Sequence, residues 1–237
     1  MNIKGPSVEL KNLSLQLNRV MLLEPLSAVF KPGRMHAITG PNGAGKSSLI
    51  KCLLGLMPHS GQIRRHWPGR PGNIAYVPQQ AAFEPSLPVT IEEFMLTSVS
   101  RWPVFFKCKV AEQQRISRLL QRVGLDSKQH LRLGQLSGGE RQRLLFAQAL
   151  ERDSHLWCID EPMTGLDQSG QALMTAEMIR LRDQGATLFV VHHDMDWIRR
   201  HADELWVIED GLKHHERLCP PSLVDAAEPA GVVEACA

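Results

Sequence analysis

The stretch RMHAITGPNGAGKS, residues 34–47, runs from apolar residues into glycines and then opens onto a helical pattern. Arg34 to Thr39 reads as a buried strand, and Lys46 to about Leu56 as a helix. Between them Gly40, Pro41, Asn42, Gly43, Ala44, Gly45, Lys46 and Ser47 fit G-x-x-x-x-G-K-[ST]. The glycines let backbone N–H groups wrap phosphate oxygens. Lys46 then reaches the terminal phosphates, and the Ser47 hydroxyl ligates Mg²⁺. A chance glycine-rich turn would not need a strand before it and a helix after it, and both are present here.

Outward from this loop, SVELKNLSLQL and LSAVF read as β-rich runs, closed by the turn KPG, and GNIAYVP as another strand. Helical signals dominate from about Gln80 to Leu133, interrupted by Pro85, Pro88 and Pro103. Strand signals return in HLWCID, ATLFVV and DELWVI, alternating with helices. That alternation predicts an α/β core with a mainly parallel sheet, a small antiparallel β subdomain at the N-terminus and an inserted helical subdomain. One domain is expected over residues 1–218. Its core lobe covers about 1–79 and 145–218, and its helical part about 80–144. The Ala- and Pro-rich stretch 219–237 is expected to be a flexible tail.

HLWCIDE is an apolar strand ending in Asp160 and Glu161. A strand-end aspartate near a phosphate loop holds Mg²⁺, and the next carboxylate reaches the attacking water as general base. The ordinary alternative is an acidic turn that caps the next segment. VVHHDMD ends another buried strand, and strand alternation lets only one of His192 and His193 face a nucleotide. AYVPQQ places Gln79 just after a strand, where an amide can ligate Mg²⁺ or position water. QLSGGERQRLLFAQAL, residues 135–150, sets Ser137, Gly138 and Gly139 at the head of an amphipathic helix, which is a second anion site.

Composition narrows the function. The chain has 237 residues and a net charge of +2, too small for a dedicated nucleic-acid surface. Five scattered cysteines form no C-x-x-C, so a disulfide framework is not expected and a reducing cytosol is the simplest setting. No apolar stretch approaches the ~18 residues that span a bilayer. If the protein works at a membrane, another chain supplies the span.

GPNGAGKS, PQQ, LSGGERQR, CIDEP, TGLD and VVHHD together resemble an ATP-binding cassette (ABC) ATPase, from about Val8 to Gly211. The resemblance implies ATP on Gly40 to Ser48 and the Mg²⁺ ligands Ser47, Gln79 and Asp160. It implies catalytic roles for Glu161, His193, Gln79 and Asp167, and leaves His192 as a packed histidine. It also implies that two copies stack head to tail, so that Ser137, Gly138, Gly139 and Glu140 of one copy close on ATP held by the other. The family's adenine-stacking aromatic is absent, and the matching place is near Leu17.

The branch follows from spacing and resemblance. Fewer than sixty residues separate Gln79 from Ser137, which leaves no room for a long coiled-coil insertion. The region after Gln79 resembles bacterial zinc, manganese and iron(II) uptake ATPases. That implies a peripheral subunit on the cytoplasmic face, energising a membrane permease fed by an extracytoplasmic binding protein. A soluble ABC ATPase acting on nucleic acid or ribosomes, or an importer subunit for a non-metal substrate, stays open. Phe83, Leu87, Phe94, Trp102, Phe105 and Phe106 are expected to help form the permease-docking groove. His214 and His215 are expected to point apart on a surface strand or loop, with a solvated turn as the ordinary reading.

Overall fold

The computed structural model describes residues 3–80, 87–99 and 110–219. Strands β1 (Ser7–Leu17) and β2 (Val20–Phe30) form a hairpin, and β4 (Ser60–His66) pairs with the other edge of β1. The hairpin turns at Asn18 and Arg19, both at positive φ (48° and 67°). A two-residue turn with positive φ at both positions matches the twist of the strands it joins.

The larger sheet runs in the order β5 (Asn73–Val77), β6 (Ser154–Asp160), β7 (Thr187–Val191), β3 (Met35–Thr39), β8 (Glu204–Glu209), β9 (Gly211–Arg217). Pairings from β5 through β8 are parallel, and β9 is antiparallel to β8. Every residue of β3 and β7 is buried, as a parallel sheet covered on both faces requires.

Alternation divides the strands between two cores. On β6, Trp157 and Ile159 face one side, while Leu156 and Cys158 face the other. On β7, Leu188 and Val190 join the first side, Phe189 and Val191 the second. The second core includes the hairpin and α1 (Lys46–Leu53). The first includes the helices α2 (Ile91–Val99), α3 (Val110–Arg122), α4 (Gly138–Leu150), α5 (Gln168–Asp183) and α6 (Met195–His201). Phe146 of α4 packs on Trp157 of β6 with ring centroids 5.7 Å apart, so α4, the helix headed by the LSGG segment and called the signature helix below, rests on the sheet. Emptying such a buried aromatic position costs about 3–5 kcal/mol.

Several expectations shift. The helix after the phosphate loop ends at Leu53 rather than about Leu56. The expected boundary at 144/145 falls inside α4, which is one continuous helix. Strands β4 and β9 appear where polar sequence gave no strand signal. His214 and His215 therefore lie on β9, not in a turn, and His215 stacks on Trp206 at 3.8 Å. Of the proposed groove residues, Phe83, Trp102, Phe105 and Phe106 lie outside the described residues, as does the tail from 220 onward.

Candidate nucleotide site

The strands β6, β7 and β3 are adjacent, and each releases its chain at the same C-terminal edge. Ligands collect at that edge in parallel sheets. There the phosphate loop leaves β3, Asp160 and Glu161 end β6, and His192 and His193 follow β7. A cleft of about 520 Å³ opens there, lined by Leu22, Asn42, Gly43, Gly45, Lys46, Ser47, Ser48, Gln79 and Glu161.

The loop is held open around a buried cation. Lys46 donates from Nζ to the carbonyls of Gly40 (2.9 Å) and Pro41 (2.8 Å). Gly45 sits at φ +86°, and an added Cβ would lie 2.5 Å from the Leu22 carbonyl. Only glycine satisfies both the left-handed backbone and this close approach of β2.

Asp160 follows Leu156 and Cys158 by alternation, so it points to the α1 face. There the Ser47 hydroxyl donates to its carboxylate. Burial raises the Asp160 pKa, while the Ser47 bond works the other way. Its Oδ1 is buried with no hydrogen-bond partner among the described residues. A hydroxyl, a carboxylate and the Gln79 amide oxygen are all hard oxygen donors. That set suits Mg²⁺.

Glu161 is half-buried with φ 45°, a left-handed conformation that costs on the order of 1–3 kcal/mol in a non-glycine residue. Its N–H donates to the Val191 carbonyl at 3.1 Å, which ties β6 to β7 at this corner. Its Oε2 accepts from Gln79 Nε2 at 2.8 Å. The buried Gln142 of α4 in turn donates to the Pro78 carbonyl at 2.8 Å, so the signature helix grips the segment that carries Gln79.

The two histidines follow the end of β7 at Val191, so strand alternation does not divide them, and their rings stack with centroids 5.6 Å apart; they differ in burial. His192 is buried at 5% exposure and stacks on Trp197, with centroids 4.3 Å apart and planes 8° from parallel. Its Nδ1 accepts from the Asp194 N–H at 3.0 Å. Burial pushes its pKa down to about 4, with His193 adding to the effect. His193 is exposed at the strand end, outside the residues that line the cleft.

The remaining expected residues lie apart from the cleft. Leu17, 47% exposed, is not among its lining residues; Leu22 is the leucine that lines it. Ser137 and Gly138 are exposed at the start of α4, and Ser137 caps that helix. Its Oγ accepts from the Glu140 N–H at 3.2 Å, while Glu140 Oε2 accepts from the Ser137 N–H at 2.8 Å. Such a box satisfies two orphan donors at once. Gly139 is buried, and an added Cβ would lie 2.5 Å from the Gly165 carbonyl, so the signature abuts the TGLD loop. Asp167 caps α5, accepting from Gly170 N–H (3.0 Å) and Ser169 Oγ (2.7 Å), and the Ser169 bond leads in lowering its pKa.

With this geometry in place, comparison with known proteins decides the family. The sequence profile of the ABC transporter family matches residues 23–164. The chain belongs to that family. The cassette is accordingly an ATPase subunit coupled to transport. The chain is 33% identical over 212 residues to a manganese transport system ATP-binding protein, MntB, of Halalkalibacterium halodurans, covering 88% of this chain and 85% of that one. It is 34% identical over 200 residues to a zinc import ATP-binding protein, ZnuC, of Buchnera aphidicola, covering 84% and 79%. Among solved structures, an ATP-binding subunit of an ABC transporter superposes with TM-score 0.74 at 25% identity, covering 89% and 90%. A dimeric cassette bound to ADP and phosphate superposes with TM-score 0.75 at 23% identity, covering 90% and 99%, a likeness of fold. Among the described residues no helix is long and apolar enough to cross a membrane.

Proposed function

We propose that this cassette hydrolyses ATP in the cleft between the phosphate loop and β6 and so drives uptake of a divalent transition metal, zinc or manganese, through a separate permease. The observation that carries the ATPase part is the convergence of Lys46, Ser47, Asp160, Gln79 and Glu161 on one cleft. The metal follows from the relatives, which are named for manganese and zinc transport. Among the described residues no group of three His, Cys, Asp or Glu is placed to hold a metal.

Each residue has a proposed task. Gly40 to Ser48 bind the phosphates through backbone amides and Lys46. Ser47, Asp160 and Gln79 would hold Mg²⁺, which supplies charge neutralisation on the β- and γ-phosphates. Glu161 takes the proton of the attacking water as general base. His193, exposed at the end of β7 and outside the cleft lining, is assigned the γ-phosphate contact. The site is completed in trans: Ser137, Gly138, Gly139 and Glu140 of a second copy close over the phosphates, with Asp167 at the seam. ATP therefore acts as the joint of a head-to-tail dimer.

The permease is proposed to seat a cytoplasmic helix near Gln79. A cavity of about 280 Å³ lies there between β5 and α4, lined in part by Ile74, Tyr76, Pro78, Leu145 and Ala149. It opens beside the segment that Gln142 grips, so movement of the occupant reaches Gln79 directly.

The test is zinc and manganese uptake in cells whose own chain carries Lys46→Ala. Loss of uptake for one of the two metals, with permease levels unchanged, is expected. Normal uptake of both would sink the metal assignment, while normal ATPase activity of the purified variant would sink the ATPase site.

A further inference from the structure

Glu140 raises a difficulty for the trans site. An anion approaching the start of α4 meets exposed backbone amides and the Ser137 hydroxyl, which is favourable. The Ser137 Oγ accepts from the Glu140 N–H and so keeps its proton free to donate outward. Yet the capping box also places a full carboxylate in the first turn, its Oε2 fixed on the Ser137 N–H at 2.8 Å. A negative charge there repels the phosphates that the helix start is meant to receive. A glutamine would close the same box without the charge.

The structure contains a counter-charge. Lys128 ends a short 3₁₀ turn, Asp126–Lys128, that follows α3. Its ammonium group contacts Glu140 Oε1, the oxygen that the capping bond leaves free. Each carboxylate oxygen thus has its own partner, one backbone and one cationic. The contact with Lys128 leads the causes that lower the Glu140 pKa, so the carboxylate stays ionised and paired. The Glu140 side chain is 14% exposed and that of Lys128 41%. The pair is partly shielded from water, and its electrostatics are not fully screened.

We infer that Lys128 is a positioning residue of the ATP-closed dimer: it neutralises Glu140 and holds it in the capping box, so that the start of α4 can receive the phosphates of the facing copy. The inference rests on the head-to-tail reading above. Lys128 does not touch the nucleotide and acts through Glu140. Its side chain matters for charge, so arginine should replace it and methionine should not.

The experiment measures ATP-driven dimerisation of the full chain by analytical ultracentrifugation, in a Glu161→Gln background that holds the closed state. Lys128→Met should raise the ATP concentration for half-dimerisation about tenfold, and Lys128→Arg by less than about twofold. With Glu140→Gln also present, the same Lys128→Met change should matter less than about twofold, because no charge remains to neutralise. Raising salt from about 0.05 M to about 0.5 M should shrink the Lys128→Met deficit, since added ions screen the repulsion between Glu140 and the phosphates. Equal deficits in both Glu140 backgrounds, or a deficit indifferent to salt, would show that Lys128 only braces the loop, and the inference fails. No deficit at all would also overturn it. Ser137→Arg run alongside separates the two readings: if it blocks dimerisation while Lys128→Met does not, only the role of Lys128 is lost.

Discussion

Gln79 and Glu161 face each other across the end of two neighbouring strands, with Gln79 Nε2 donating to Glu161 Oε2 at 2.8 Å. The residue proposed to take the proton from water is therefore fixed by the residue proposed to sense the permease. The same Glu161 oxygen lies 3.5 Å from Thr164 Oγ1, and the backbone at Glu161 is in the left-handed region. A strained backbone, a neighbouring amide and a neighbouring hydroxyl together define where this carboxylate points. On the proposed roles, moving Gln79 would move the base and so couple transport to hydrolysis.

Glu161→Gln should bind ATP and hydrolyse it poorly. The amide keeps the shape and removes the base. General-base catalysis contributes about 10²–10⁴-fold, and turnover should fall within that range. The dimer should then persist with ATP and Mg²⁺ on sizing chromatography. Turnover at the wild-type rate would remove Glu161 from the role of base.

Ser137→Arg should leave ATP binding by the monomer nearly intact and abolish hydrolysis. Ser137 caps α4 on an exposed edge, apart from the cleft of its own chain. Loss of the cap costs about 0.5–2 kcal/mol, so the fold should survive. Titration with a fluorescent ATP analogue, together with a phosphate-release assay, checks both halves. A monomer that loses ATP affinity would contradict closure in trans.

The cleft should discriminate weakly between bases. Leu22 is the one apolar side chain wide enough to meet a base among the lining residues, and no aromatic ring is present there among the described residues. The stacking contribution of about 0.5–1.5 kcal/mol is then missing. Competition between ATP and GTP should give affinities within about tenfold of each other. A preference for ATP beyond a hundredfold would show that a base-reading group has been overlooked.

Much of this arrangement is legible in the sequence because central strands are apolar throughout and their ends carry the chemistry. MHAIT, HLWCID and TLFVV each lead into a turn at the cleft edge, and period-two alternation then places Asp160; His192 and His193 lie beyond the end of β7, and their rings stack rather than part. Edge strands give no such signal. In β4 only Ile63 and Arg65 are partly buried, while Gln62, Arg64 and His66 face out. Leu22, not Leu17, is among the residues lining the cleft, and the β1–β2 pairing carries register shifts between Leu10 and Gln16. Alternation cannot reveal bulges. The Lys128–Glu140 pair joins a loop to a helix start, and neither periodicity nor motif spacing marks such a contact.

His193→Ala should cut hydrolysis strongly and His192→Ala should cut it little, because the second ring is packed on Trp197 away from the cleft. His192 should instead show itself in stability against pH. Its folded pKa of about 4 lies below the ordinary 6.5, so between these values the unfolded chain binds the extra proton. Stability is then present in full above about pH 6.5 and is lost as pH falls toward 4. The groups around the ring are His193, Asp194 and His201, and only Asp194 favours the charged form. His201, also lowered by burial, adds a loss in the same direction. Between about pH 7.5 and about pH 5 the His192 contribution is about 2 kcal/mol. Urea unfolding at these two pH values checks it: His192→Phe, which keeps a ring on Trp197, should lose stability less steeply on acidification than the parent protein by about that amount. Equal slopes would mean that the fold does not hold this ring neutral.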